Sequence, residues 1–194
     1  MRRDEYLKLV EESSDVIMKI FSDAHNVHAS VNQMYDKTLP YSYHLNQVWL
    51  VALRYGHNLI INSVDDIVVL AFGAFFHDAI EDARLTYNDV VKKAETYMSR
   101  DNAVRAADLV YALTNEKGKT RSGRENDKYF HEMKNICGAP FLKFCDRIAN
   151  MEHSKATKSS MLKKYKQELP YLIEKIGDYV PEDMIKEIKK IAED

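Results

Sequence analysis

Ala71-Phe72-Gly73-Ala74-Phe75-Phe76-His77-Asp78-Ala79-Ile80-Glu81-Asp82 is the stretch that decides how this chain is read. An apolar run ends in two metal-type ligands, and two carboxylates follow about one helical turn later. A core gains nothing from four ionisable groups placed behind such a run. Burying each costs several kcal/mol unless something pairs with it. A divalent cation is the partner that all four can share, so the segment points to a metal centre inside a helical protein.

Working outward, Ile67 to Phe76 is apolar on nearly every side, which predicts a central helix. Ser63 caps it, with Asp65 and Asp66 in the favourable first turn. Upstream, Tyr6, Leu9, Val10, Ser13, Ile17, Ile20, Phe21 and Ala24 recur at spacings of three and four. They predict one amphipathic helix from residue 4 to about 32. Asp36 to Tyr41, with Pro40, reads as a loop. Ser42 then caps a helix carrying His44, Val48, Val51, Ala52 and Tyr55, stopped near Gly56. Downstream, Thr86 caps Tyr87 to about Met98. Asp101 opens a helix burying Ala103, Ala106, Ala107, Val110 and Leu113. Asn115 to Arg124, with two glycines and four basic residues, reads as a surface loop. Helices follow at about Glu125–Ile136, Ala139–Ser154, Ser159–Ile176 and Pro181–Ala192. No stretch keeps period two long enough for a strand, and no heptad persists. The expected fold is an all-α bundle in one domain over residues 1–194.

The 194 residues carry a net charge of -2, so nothing global favours nucleic acid or an anionic membrane. No apolar run approaches the roughly 20 residues of a membrane helix, and Met1 to Glu5 lacks a secretory h-region. Cys137 and Cys145 are read as reduced thiols of a cytoplasmic protein.

His77 and Asp78 point about 100° apart on a helix and can take adjacent corners of one coordination shell. Glu81 and Asp82 sit one turn on, each four residues after His77 and Asp78. Further ligands are expected from His44, near a helix start, and Asp146, which follows the apolar run Ala139–Cys145. Each alone has a plainer reading: His44 as a core or surface histidine, Asp146 as an ion-pair partner. Such N and O donors suit Mn, Fe, Zn or Mg. His25 and His28 read as surface histidines on a polar helix face. His57, His131 and His153 have no partner spacing.

These residues, in this order, resemble the HD superfamily of metal-dependent phosphohydrolases: His44, His77-Asp78 and Asp146 match its His…His-Asp…Asp pattern. Pro40-Tyr41-Ser42-Tyr43-His44, His77-Asp78-Ala79-Ile80-Glu81-Asp82 with Leu85-Thr86, and Lys143-Phe144-Cys145-Asp146-Arg147-Ile148-Ala149-Asn150-Met151 resemble motifs of the Rel/SpoT hydrolase domain and its small single-domain relatives. The resemblance spans about residues 24 to 170.

It implies an HD-domain helical bundle with one divalent ion, Mn2+ first and Fe, Zn, Mg, Ni or Co as alternatives, held by His44, His77, Asp78 and Asp146. It implies hydrolysis of the 3'-pyrophosphate of (p)ppGpp, with Glu81 and Asp82 orienting or deprotonating water. Lys37, Lys117, Arg147, Asn150 and Tyr165 are the substrate-binding candidates that it suggests. Arg147 pairing with a local acid, and Tyr165 packing in the core, compete equally with those roles. The sequence departs from the family in its short loop Tyr35–Pro40, which has no arginine, and in the basic loop, where Lys119, Arg121, Arg124 and Lys128 could add polyphosphate contacts or simply be solvated. A phosphatase or phosphodiesterase for another nucleotide is the alternative, and a non-catalytic nucleotide-sensing module is the alternative of a different class. The expected partner is a small nucleotide, with no nucleic acid or membrane, and a homodimer is left open.

Overall fold

Two helices, α1 (Arg3–Glu12) and α2 (Ser14–Ser30), stand where one long helix is expected. This is seen in a computed structural model that describes residues 1–193 and, for Arg121 and Ser122, the backbone alone. The break falls at Ser13, whose hydroxyl donates to the Leu9 carbonyl at 2.6 Å. Such a back-bond competes with the helical ladder and bends it. The stripe survives the break, since Tyr6, Ser13, Ile17, Ile20 and Ala24 are all buried.

Helix α3 (Tyr41–Tyr55) begins at Pro40, not at a serine cap. Ser42 lies inside its first turn, buried, with its hydroxyl 2.9 Å from His25 Nδ1. Helix α4 (Val64–Phe76) is capped as expected, the Ser63 hydroxyl accepting the Asp66 N–H. Every residue from Ile67 to Phe76 is buried, and each fully buried large apolar side chain there contributes roughly 1.5–3 kcal/mol. Gly73 lets α4 come close to its neighbours: a Cβ there would overlap the Leu109 side chain and lie 2.9 Å from Leu142.

The remaining helices are α5 (Tyr87–Ala94), α6 (Arg100–Leu113), the single turn α7 (Arg121–Arg124), α8 (Asp127–Lys134), α9 (Ala139–Ala156), α10 (Met161–Ile176) and α11 (Glu182–Glu193). Thr86 and Asp89 form a reciprocal cap for α5. Ser99, two residues earlier than the expected Asp101, accepts from Asn102 at the start of α6. Gly138, at φ 87°, makes the left-handed turn into α9. Among the described residues there is no strand, only an isolated bridge between Met34 and Pro40. The fold is an all-α bundle. In it, α4 packs on α2, α3 and α6, and α9 packs on α3, α6, α10 and α11. No described helix is long and apolar enough to cross a membrane.

Candidate metal centre

Three elements converge on one point. His44 lies in the first turn of α3, His77 caps the C-terminus of α4, and Asp146 sits midway along α9. The segment from His77 to Asp82 is not helical, as the four-residue spacing suggests, but a run of tight turns. Asp82 N–H donates to Asp78 O, Ala83 N–H to Ala79 O, and Leu85 N–H returns to Ala79 O. Arg84 makes the reversal at φ 61°.

His44 Nε2, His77 Nε2 and a carboxylate oxygen of Asp78 all lie within 4.8 Å of one another. The two Nε2 atoms are 3.3 Å apart. Asp78 Oδ2 is 2.9 Å from His77 Nε2 and 4.0 Å from His44 Nε2. Asp146 Oδ1 is 3.2 Å from His44 Nε2 and 3.9 Å from His77 Nε2. Donors about 2.1 Å from a shared ion stand about 3.0 Å apart at a right angle and about 4.2 Å when opposed. All these separations fit that range. Two imidazole lone pairs facing each other between two carboxylates, almost out of water, is also an arrangement that a divalent cation satisfies. The His77 Nδ1–H donates to the Ala74 carbonyl at 2.9 Å, which leaves Nε2 free to ligate.

Without an ion, the charges of the cluster act on one another. Burial alone would push the His77 imidazole down, but the Asp78 and Asp146 carboxylates raise it to about 9. Burial would raise both carboxyls. The neighbouring imidazoles outweigh it, holding Asp146 at about 2 and Asp78 well below the usual carboxylate range. Tyr41, on the first turn of α3, donates its hydroxyl to Asp78 Oδ2. Tyr35 donates to Asn150 Oδ1 at 3.0 Å, and the Asn150 amide donates to Asp146 Oδ1 at 2.5 Å.

Glu81 and Asp82 line the same cavity, of about 300 Å3, without joining the His44-His77-Asp78 group. Asn115 holds Glu81 at both oxygens, its backbone N–H at 2.5 Å and its side-chain amide at 3.2 Å. Gln33 donates to Asp82 at 2.5 Å. Burial, then the Asp78 charge, raises both carboxyls above their ordinary values.

The substrate-binding candidates separate. Asn150 and Tyr165 line the cavity. Lys37 is exposed and does not. Lys117 lines a different cavity, beside Lys128 and Tyr111. Arg147 is buried against acids, 3.0 Å from Glu168 and 3.9 Å from Glu125, with its guanidinium over the Tyr165 ring. Within the basic loop, Arg124 reaches the cavity wall, Lys119 is exposed and Lys128 pairs with Glu116 at 2.8 Å. The Arg121 side chain lies outside the described residues. His28 is not on the surface as expected: it is buried, bonded to Gln33 and stacked on Tyr41.

Lys143, Asn115 and Tyr35 are cavity residues that the sequence reading passes over. Lys143 carries a legible signal, a cation inside the apolar run Ala139–Cys145 that Asp146 follows. It is buried, 3.0 Å from Glu125 and over the Tyr129 ring. Burial would lower its ammonium, but Tyr129, Glu125 and Asp146 hold it above the usual lysine range. Asn115 shows no signal, since it meets Glu81 only through tertiary packing across 34 positions.

Fold and site together define an all-α protein in which two buried histidines and a half-buried aspartate form a group able to hold a metal ion. No protein-family model matches the chain, and no curated protein matches it significantly.

Proposed function

We propose that the chain is a metal-dependent phosphohydrolase of the HD type that acts on a nucleotide, with removal of the 3'-pyrophosphate of (p)ppGpp as the most specific form of the reading. One observation carries it: His44, His77 and Asp78 form a group able to hold a metal ion, with Asp146 Oδ1 3.2 Å from His44 Nε2, in a cavity that Glu81 and Asp82 also line. Five carboxylates (Asp78, Glu81, Asp82, Glu125, Asp146) outnumber the cations there (Arg124, Lys143 and, without a metal, His77). Such a cavity repels phosphate until a divalent ion offsets the excess. His44, His77, Asp78 and Asp146 would hold that ion, which would supply Lewis acidity toward phosphate oxygens and toward water.

The chain's own residues do the rest. Glu81, with its carboxyl raised and both oxygens fixed by Asn115, is placed to take a proton from water. Asp82, fixed by Gln33, is the second carboxylate that can orient that water. Arg124 is the cavity cation free of the Lys143–Glu125 pairing, and it would meet a phosphate at the mouth.

Another nucleotide as substrate, cleaved by phosphatase or phosphodiesterase action, is favoured by a specific observation. Tyr35, not a cation, faces the cavity from the short loop, and Lys37 stands outside it. A screen of the Mn2+-loaded protein against ppGpp, GTP, NADPH and nucleoside monophosphates, scored for released phosphate or pyrophosphate, tests the reading. Turnover abolished by EDTA and by Glu81→Gln supports it. A metal-loaded protein that turns over none of these, yet binds one, would favour the nucleotide-sensing module instead.

A further inference from the structure

We propose that Tyr35 is a positioning residue for the cation, its ring setting His44 and its hydroxyl setting Asp146 through Asn150. The proposal rests on the metal-centre reading and names a residue that neither the ligand pattern nor the acidic pair contains.

A ligating imidazole is normally oriented by a hydrogen bond from its other ring nitrogen. His77 has one, to the Ala74 carbonyl. His44 does not: its Nδ1 is buried with no hydrogen-bond partner among the described residues. The Tyr35 ring lies flat against His44 instead, with centroids 4.7 Å apart and planes 14° from parallel. Tyr41 and His77 meet the same imidazole edge-on, at 5.4 and 5.2 Å. Stacking therefore does for His44 what a hydrogen bond does for His77.

The other end of Tyr35 acts on a second ligand. Its hydroxyl donates to Asn150 Oδ1, so the Asn150 amide nitrogen is turned toward Asp146 Oδ1. Without that donor the asparagine could flip and present its oxygen to a carboxylate. Tyr35 is itself fixed by a short loop. Its N–H donates to the Leu39 carbonyl at 2.9 Å, and Asp36 Oδ1 accepts from the N–H groups of Thr38 and Leu39. One side chain on a pinned loop thus links a ligand of α3 to a ligand of α9.

Co2+ titration of the purified, metal-stripped chain, followed by its visible ligand-field bands, separates the two contributions without relying on turnover. Tyr35→Phe keeps the stack and loses the hydroxyl; Tyr35→Ala loses both. Helical circular dichroism and melting in EDTA verify that each variant folds. Expected are a wild type that binds Co2+, a roughly tenfold weaker Tyr35→Phe with altered bands, and Tyr35→Ala weaker by roughly a hundredfold. Tyr35→Phe that matches wild type in affinity and spectrum, together with Tyr35→Ala that does the same, overturns the positioning role and leaves the metal centre standing. A wild type that binds no Co2+ or Mn2+ overturns both.

Discussion

Lys143→Met offers a demanding test of the cavity's construction. The side chain is 7 % exposed and its ammonium lies 3.0 Å from a Glu125 carboxylate that is 10 % exposed. Breaking a buried pair by removing one partner typically costs about 3–5 kcal/mol, because the other charge is left without its counter-ion in a poor solvent. Arg147, 3.9 Å from the other Glu125 oxygen, compensates in part, so the low end applies, about 3 kcal/mol. For a chain of this size each kcal/mol moves the melting temperature by about 2–4 °C, so a fall of about 6–12 °C is expected. Urea unfolding measures the free energy directly. The double variant Lys143→Met/Glu125→Gln should recover at least half the loss, since residue 125 then carries no charge to strand and Arg147 keeps Glu168 at 3.0 Å. A single variant within about 1 kcal/mol of wild type, or a double variant no better than the single, would refute the reasoning.

Gly73→Ala should cost about 1–3 kcal/mol, because its methyl would press on Leu109 and Leu142; an unchanged urea midpoint contradicts the close approach of α4. Glu81→Gln should retain the metal while hydrolysis falls roughly a hundredfold or more, and full activity removes Glu81 from the chemistry. The metal-free protein should lose stability as pH rises. His77, raised to about 9 when folded and near 6.5 when unfolded, contributes fully below about pH 6.5 and nothing above about 9. With Mn2+ bound, His77 carries no proton to lose and that decline should vanish, so melting curves in EDTA and in Mn2+ that run parallel from pH 6.5 to 9 count against the shared site. Asp146 acts in the opposite sense, its contribution being present above about pH 4 and lost as pH falls through about 2.

Much of the fold is legible in local pattern. The apolar run Ile67–Phe76, the Ser63 cap and the alanine stripe of α6 each report their surroundings, because a residue's burial repeats with the helical period. The break at Ser13 is not legible, since serine fits a buried helical face as well as it bends one. Nor is the end of α4 at Phe76, where turn hydrogen bonds and the reversal at Arg84 override a spacing that helical periodicity would also allow. Within the site, His77 and Asp78 announce themselves by polarity in an apolar context, and Asp146 does so through its position behind Ala139–Cys145. Lys143 sends the same signal. Tyr35, Asn115 and Gln33 do not, because tyrosine, asparagine and glutamine are ordinary residues in surface loops. Their roles arise only when distant segments bring them against His44, Glu81 and Asp82.

Metal analysis after equilibrium dialysis against Mn2+ addresses the shared cation most directly. The account predicts about one ion per wild-type chain and little or none in Asp78→Ala, with both proteins folded by circular dichroism. Equal metal content in the two proteins, or none in the wild type, would contradict it.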